Sequence, residues 1–196
     1  ISGGTINNSI IGATTAAAGT FTTLTAATSI TALRTIYFIP EFENSLTRPD
    51  GSLNRGTLKT TYSSTDNHSY YEWTTNEPVA QDYDIVVRVK LPDGFSSFDA
   101  ATPIKLYTKS SEYADADTKV VVQMKDSGGN VVNLSGAASV TLRGAATTGN
   151  WYEDTITIGT PTVAFASGQW VTFILTLNAN QNDTIDVGEL SLKGNW

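Results

Sequence analysis

The sequence predicts an all-β protein, an antiparallel β-sandwich of the jelly-roll type preceded by an extended amino-terminal segment. The composition favours strands and tight turns over helices, because Thr, Ser and Asn are abundant and there are 16 Gly. Short runs of alternating apolar and polar residues follow one another from residue 35 onward. Turn residues separate these runs at close intervals, which is typical of antiparallel sandwiches.

Three runs carry the clearest two-residue period, at 84–91, 119–125 and 170–177. Each run places apolar side chains on one face and mostly polar side chains on the other, as expected of a strand that covers a core. The expected inward side chains are Ile85, Val87, Val89, Leu91, Val120, Val122, Met124, Val171, Phe173, Leu175 and Leu177.

Turn chemistry connects these strands to shorter ones. The segment 126–130, Asp-Ser-Gly-Gly-Asn, predicts a hairpin after which 131–134 returns antiparallel. The run at 188–193 is expected to close the sandwich beside the first strand. Further strands are predicted at 35–39, 58–62, 70–75, 104–108 and 155–158.

Charge and cysteine content exclude several classes of protein. The chain has 196 residues, 12 basic and 19 acidic, and a net charge of −7, so it lacks the clustered cations that nucleic acid requires. It has no Cys, which excludes disulfides, thiol nucleophiles and Cys-ligated zinc. No apolar window reaches the roughly 18 residues of a membrane span. The start at Ile1, without Met, indicates a processed or truncated chain.

The segment 1–34 differs from the rest, because its first charged residue is Arg34. Small residues dominate it, so it cannot offset a backbone ordering cost of about 1–2 kcal/mol per residue by itself. We expect it to order against other copies, as three neutral chains packed at an axis. The alternative is a flexible linker. The predicted oligomerisation residues are Ile6, Ile10, Ile11, Phe21, Leu24 and, at the other terminus, Trp196.

Part of this segment carries a family resemblance. From Gly4 to Ala26 it reads GTINNSIIGATTAAAGTFTTLTA, which resembles the GGTIDNTPIGATTPAAGTFTTLTA element of bacteriophage tail-fibre and virion-appendage proteins. It departs from that element where Ser9-Ile10 replaces the usual Thr-Pro and where Ala16 replaces a usual Pro. The resemblance implies a trimeric fibre segment, a globular distal module at 35–196, and a virion or extracellular location.

No catalytic residue is predicted. His68 is the single histidine and lies in a polar stretch that reads as a surface loop. A relay of nucleophile and base needs a nucleophile beside this histidine, and the sequence contains neither a Gly-x-Ser-x-Gly elbow nor a Cys. Paired carboxylates for glycoside cleavage remain an alternative. The available ones are Glu41, Glu43, Glu72, Glu77 and Glu153, and nothing in the sequence marks two of them as partners.

Two oxygen-rich segments could brace loops through a structural Ca²⁺, and no other cofactor is predicted. Residues 178–189 fit part of a calcium-loop spacing, but the sixth position is Asp183 rather than Gly and the flanks read as strands. The preferred reading is a polar hairpin between the last two strands. The second segment, 112–117, gathers three carboxylates between two predicted strands, and the alternative for it is a solvated acidic loop. The metal-ligand candidates are Glu112, Asp115, Asp117, Asp183 and Asp186.

Aromatic pairs give the stronger binding signal. In a strand, Tyr71 and Trp73 face the side opposite to Tyr70, so large rings lie on both faces. Rings beside carboxylates suit sugar stacking or a subunit interface. The candidate ligand residues are Tyr71, Trp73, Trp151 and Tyr152, and a core position is the preferred alternative for Trp73 and for Trp170.

These features favour a non-enzymatic virion structural protein, a trimeric fibre or appendage subunit that presents a sandwich head to a glycan or protein of the host surface. One alternative is an extracellular filament whose subunits donate the amino-terminal strand to a neighbour. A glycan depolymerase is the third hypothesis.

Overall fold

The structure is a computed structural model, and it describes residues 33–38, 46–47, 55–144, 149–159 and 164–196. Several expectations lie outside these residues: the fibre-like element, Glu41 and Glu43, and the oligomerisation residues Ile6, Ile10, Ile11, Phe21 and Leu24.

The described residues form thirteen strands and contain no helix, which confirms the all-β prediction. The strands are β1 (Leu33–Phe38), β2 (Leu46–Thr47), β3 (Thr57–Ser63), β4 (His68–Thr74), β5 (Gln81–Lys90), β6 (Ser97–Phe98), β7 (Ile104–Ser110), β8 (Lys119–Lys125), β9 (Val131–Val132), β10 (Val140–Leu142), β11 (Tyr152–Ile156), β12 (Trp170–Ala179) and β13 (Thr184–Asn195). Within the same residues, nothing forms a helix that could cross a membrane.

The strands build two antiparallel sheets that pack as a sandwich, which confirms the predicted fold class. Sheet A has the order β11-β7-β13-β4-β3, and β1 and β6 also pair with β13. Sheet B has the order β10-β8-β12-β5-β2, and β9 pairs with β8. The first described strand, β1, pairs with the last, β13, from Leu33 opposite Asn195 to Phe38 opposite Leu190. The predicted neighbourhood of the first and last strands is therefore confirmed.

The core lies between the sheets and follows the two-residue period of the sequence. The inward side chains predicted in β5, β8 and β12 are buried, except Val87, which is half-buried and packs against the core. Burying one such side chain stabilises the fold by about 1.5–3 kcal/mol. Alternate residues face outward and are mostly polar or half-buried.

The predicted turn at 126–130 is confirmed. The carboxylate of Asp126 accepts hydrogen bonds from the backbone N–H groups of Gly128 (2.8 Å) and Asn130 (2.9 Å). Hydrogen bonds from Asn130, first through its side chain, lower the pKa of Asp126 below its usual value. The turn also uses a positive φ of 82° at Gly129, a conformation that a side chain would strain.

The connection between the last two strands differs from the prediction. β12 ends at Ala179 in sheet B, and β13 begins at Thr184 in sheet A. Residues 180–183 therefore carry the chain from one sheet to the other, so the predicted hairpin is wrong. The polar residues between these strands correctly predicted a short connection, but turn residues do not show to which sheet the next strand belongs.

Candidate functional site

Two surfaces meet at strand β11, which forms one edge of sheet A. Tyr152 lies opposite Thr108 of β7, a residue that is buried within the sandwich. Trp151, one residue earlier, lies on the outer face of sheet A, where its ring contacts Tyr70 and Lys109. Because neighbouring residues of an extended chain face opposite sides, one dipeptide contributes to both surfaces.

The first surface is a cleft of about 480 Å³ between β10 of sheet B and β11 of sheet A, which we call the edge cleft. Its lining consists of Tyr113, Thr141, Leu142, Arg143, Gly144, Tyr152 and Asp154. Tyr152 is 51% exposed and Tyr113, in the connection between β7 and β8, is 38% exposed. Two tyrosine side chains are therefore accessible to a ligand at this cleft.

Backbone packing fixes the shape of the edge cleft. At Gly144, which has a φ of 75°, an added Cβ would come within 3.1 Å of Lys109 Cα and of Ser110 N. The glycine therefore lets the chain after β10 approach β7 more closely than another residue allows. This approach joins an edge of sheet B to sheet A at the cleft.

A carboxyl group lies in the same cleft. Asp154 is half-buried, and its Oδ2 accepts a hydrogen bond of 2.8 Å from the hydroxyl of Thr108. Burial raises the pKa of Asp154 above its usual value, and the Thr108 hydrogen bond only partly opposes this. The group is therefore protonated more readily than an exposed Asp, and the protonated form can donate a hydrogen bond.

The second surface surrounds Trp151 on the outer face of sheet A. Its ring centroid lies 5.1 Å from that of His68 and 5.2 Å from that of Tyr70. The ammonium of Lys109 lies 4.9 Å from the Trp151 centroid, and Trp151 Nε1 donates to Asp66 Oδ2 at 3.2 Å. We call Trp151, His68, Tyr70 and Lys109 the Trp151 cluster. These contacts hold the indole in place and cover Tyr70.

Lys109 of this cluster also forms an ion pair with the buried Asp186 of β13. Lys109 Nζ is 3.2 Å from Oδ2 of Asp186, a residue that is 2% exposed. Burial raises the pKa of Asp186 to about 6, although the charge of Lys109 opposes the shift. The other carboxylate oxygen, Oδ1, has no hydrogen-bond partner among the described residues. Burying the Asp186 carboxylate therefore costs free energy, and the charge of Lys109 offsets part of that cost.

The structure rejects two of the four predicted ligand residues. Tyr71 and Trp73 are 3% and 2% exposed in the core, so a ligand cannot reach them. Trp73 Nε1 donates to the backbone oxygen of Gln81 at 2.9 Å, which satisfies its one polar group. The core alternative is thus confirmed for Trp73, and Trp151 and Tyr152 remain accessible candidates.

Two other tryptophans also differ from expectation. Trp170 is 43% exposed on sheet B, with the guanidinium of Arg88 5.0 Å from its ring, so its predicted core position is wrong. The inward side chain of Val171 already implied that Trp170 faces outward. Trp196 stacks on Phe95 at 6.4 Å within its own chain, so its packing does not require a neighbouring copy.

His68 is not in a surface loop, contrary to the prediction. It begins β4, is half-buried, and its Nδ1 lies 2.8 Å from Oε2 of Glu189. The strand starts two residues earlier than its apolar pattern indicated.

The described carboxylates considered for glycoside cleavage each pair with a cation: Glu72 with Lys59, Glu77 with Arg55, and Glu153 with Lys105.

The predicted metal ligands separate into two places. Asp115 and Asp183 approach each other, and they also accept hydrogen bonds from Asn180 (3.3 Å) and Thr118 (2.9 Å) respectively. Burial raises the pKa of Asp183, while a hydrogen bond from the backbone of Asp117 lowers that of Asp115.

Asp186 is a strand residue paired with Lys109, so its assignment to a metal-binding loop is wrong. Across the part of the chain that the structure describes, no three His, Asp or Glu side chains are grouped to hold a metal ion. A structural Ca²⁺ remains a prediction.

A further groove of about 370 Å³ lies on the outer face of sheet A, lined in part by Tyr37, Lys105, Glu153, Ser191 and Lys193. Tyr37 is 71% exposed. We call this surface the outer groove. Both lysines of the groove are already paired with carboxylates, Lys105 with Glu153 and Lys193 with Asp99. Compared with the edge cleft, it offers a ligand one exposed ring and no unpaired cation among the residues described here.

Sequence reasoning missed Tyr113, Arg143 and Asp154 as parts of a site. They come from three separate connections and strands, and only the pairing of β11 with β7 and of β10 with β8 brings them together. No local motif contains them. Tyr152 was the one signal available in the sequence.

Known proteins resemble this chain in fold. No protein-family model and no curated protein matches it. Among solved structures it is similar to the K1 cleaved adhesin domain of Lys-gingipain from Porphyromonas gingivalis, at 11% identity and a TM-score of 0.46, covering 83% of this chain and 98% of that one.

Two other similar structures concern carbohydrate-active proteins. The family 11 carbohydrate-binding module of Lic26A-Cel5E from Clostridium thermocellum has 12% identity, a TM-score of 0.40, and coverage of 86% of this chain and 91% of that one. The arabinose-bound α-L-arabinofuranosidase MgGH51 has 13% identity and a TM-score of 0.42 over 80% of this chain, but this chain covers only 23% of that enzyme. At these identities the similarities concern the β-sandwich fold alone.

Proposed function

We propose that this protein is a non-enzymatic attachment module that binds a host-surface glycan in the edge cleft. The observation that carries the proposal is the half-exposed ring of Tyr152 at a cleft that also holds a hydroxyl, a carboxyl and a guanidinium group. Aromatic rings stack on the apolar faces of sugar rings, and polar groups bind the hydroxyls. The volume of about 480 Å³ lies within the usual range of small-ligand sites.

The anchoring of the cleft supports this function. Tyr152 and Asp154 belong to a strand paired with β7 over five residues, and Thr141 belongs to a strand paired with β8. Sites on rigid strands lose less conformational entropy on binding than sites on mobile loops. A sugar would therefore meet a preformed surface.

The proposal extends to a virion fibre or appendage that carries three such heads. Its support is the uncharged segment 1–33 and the resemblance of residues 4–26 to tail-fibre elements. Three heads on one stalk convert weak single contacts into durable attachment, because the second and third contacts are intramolecular.

Replacing Tyr152 with alanine tests the binding site. We expect glycan affinity to fall about tenfold or more, because the stacking ring is lost. The free energy of unfolding should change by less than about 1 kcal/mol, since half of the side chain is exposed. Glycan-array binding followed by calorimetric titration of the retained oligosaccharide measures the affinity, and denaturant unfolding measures the stability.

Tyr62→Ala is the matched control. Tyr62 is 59% exposed and lies in β3, at the opposite edge of sheet A, so its loss should leave affinity unchanged. Equal losses of affinity in both variants, or wild-type protein that binds no glycan, would contradict the proposal.

A further inference from the structure

Arg143 brings a positive charge into the edge cleft of a protein whose net charge is −7. It is half-buried and forms no ion pair with any residue that the structure describes. By contrast, the two lysines of the outer groove are paired with carboxylates. A guanidinium without an ion-pair partner, beside two accessible tyrosines, leaves the position of a carboxylate open to a ligand.

We infer that the edge cleft binds an acidic sugar, with the guanidinium of Arg143 holding the carboxylate of a uronic acid residue. This inference rests on the proposed glycan-binding function and names the ligand class. A guanidinium offers a planar fork of donors that matches a carboxylate in two parallel hydrogen bonds. Tyr152 and Tyr113 supply rings for the sugar faces, and Thr141 supplies a hydroxyl.

Asp154 is the group that opposes an anionic ligand in this cleft. Two ionised carboxylates close together repel each other. However, Oδ2 of Asp154 is already occupied by the Thr108 hydroxyl, and burial favours the protonated form of the group. When Asp154 takes up a proton on ligand binding, the repulsion disappears and the group can donate a hydrogen bond to the sugar. The cleft then contains one cation and one donor, which fits a monoanionic sugar residue.

A matched pair of probes separates charge from shape. Oligogalacturonate carries one carboxylate on each sugar, and its methyl ester is neutral and nearly the same size. We expect the wild-type protein to bind the acid at least about tenfold more tightly than the ester, because charge-assisted pairs to Arg are among the stronger hydrogen bonds. Calorimetric titration at near-physiological salt measures both affinities.

Two variants test which residues cause the preference for the acid over the ester. Arg143→Gln should abolish the preference for the acid and leave the affinity for the ester within about threefold. Asp154→Asn keeps the acceptor for Thr108 and removes the charge, so it should strengthen binding of the acid severalfold. Unfolding curves that coincide with the wild-type curve show that both variants are folded.

The outcomes distinguish this inference from the proposed function. Equal binding of the acid and the ester, or a preference that survives Arg143→Gln, overturns the acidic-sugar assignment and leaves glycan binding in place. Tighter binding of a sulfated oligosaccharide than of the uronate on a glycan array also overturns it. If wild-type protein binds neither probe nor any other arrayed glycan, the proposed function fails together with the inference.

Discussion

Replacing Lys109 with methionine is expected to lower the free energy of unfolding by about 3 kcal/mol near neutral pH, because breaking a buried ion pair leaves an uncompensated charge. The remaining charge is the carboxylate of Asp186, which is 2% exposed and 3.2 Å from the lysine ammonium. Lys109 also lies over the rings of Tyr70 and Trp151, at 5.1 and 4.9 Å, so these contacts are lost as well. Denaturant unfolding monitored by fluorescence measures the change.

The effect should depend on pH with a defined sign. Burial raises the pKa of Asp186 to about 6 in the folded protein, against about 3.9 in an unfolded chain. The folded state then binds more protons between these values, so the contribution of Asp186 to stability falls as the pH rises through about 6. Without Lys109 the carboxylate is disfavoured further, so the loss should be largest above about pH 6 and should shrink near pH 5.

The double variant Lys109→Met with Asp186→Leu is the control for this prediction. It replaces the pair with apolar side chains, a change that is often neutral at buried sites. We expect it to recover most of the stability lost in the single variant. A loss in Lys109→Met that is the same at both pH values, or a double variant as unstable as the single one, would show that the charge of Asp186 is not the cause.

Trp151→Ala is expected to lower the free energy of unfolding by about 2–3 kcal/mol, because truncating a packed Trp removes its contacts and leaves a cavity. The indole covers Tyr70, contacts His68 and Lys109, and donates to Asp66. Thermal or denaturant unfolding measures the loss. This residue thus has a structural role on the outer face, in addition to its place beside Tyr152.

Trp170→Ala provides the comparison. Trp170 is 43% exposed, more than the half-buried Trp151, and contacts Arg88 on the exposed face of sheet B. Its loss should cost less than about 1 kcal/mol, as is usual for exposed positions. If both variants lost the same stability, the contacts of the Trp151 cluster would contribute nothing specific.

The sequence predicted the fold well because strand alternation is local. The inward sets of β5, β8 and β12 follow from a two-residue period that needs no knowledge of distant residues. The core position predicted for Trp170 was wrong because that prediction did not apply the two-residue period. Its neighbour Val171 faces the core, so the parity of the strand required Trp170 to face outward despite its large apolar ring.

The candidate site was less predictable because it is assembled from distant segments. Tyr113, Arg143 and Tyr152 meet only through the order of strands in the two sheets, and strand order is not written in local patterns. For Asp186, the local sequence also led to a wrong prediction. Its oxygen-rich surroundings in sequence indicated a loop, whereas the buried neighbours Ile185 and Val187 place it in a strand.

The most direct test of the account is a titration of isotope-labelled protein with the oligosaccharide that binds most tightly on a glycan array, followed by NMR of the backbone amides. Binding in the edge cleft predicts shifts concentrated at Tyr113, at residues 141–144 and at residues 152–154. Shifts centred on the outer groove at Tyr37 and Ser191, or no shifts at saturating sugar, would contradict the assignment of the edge cleft as the glycan-binding site.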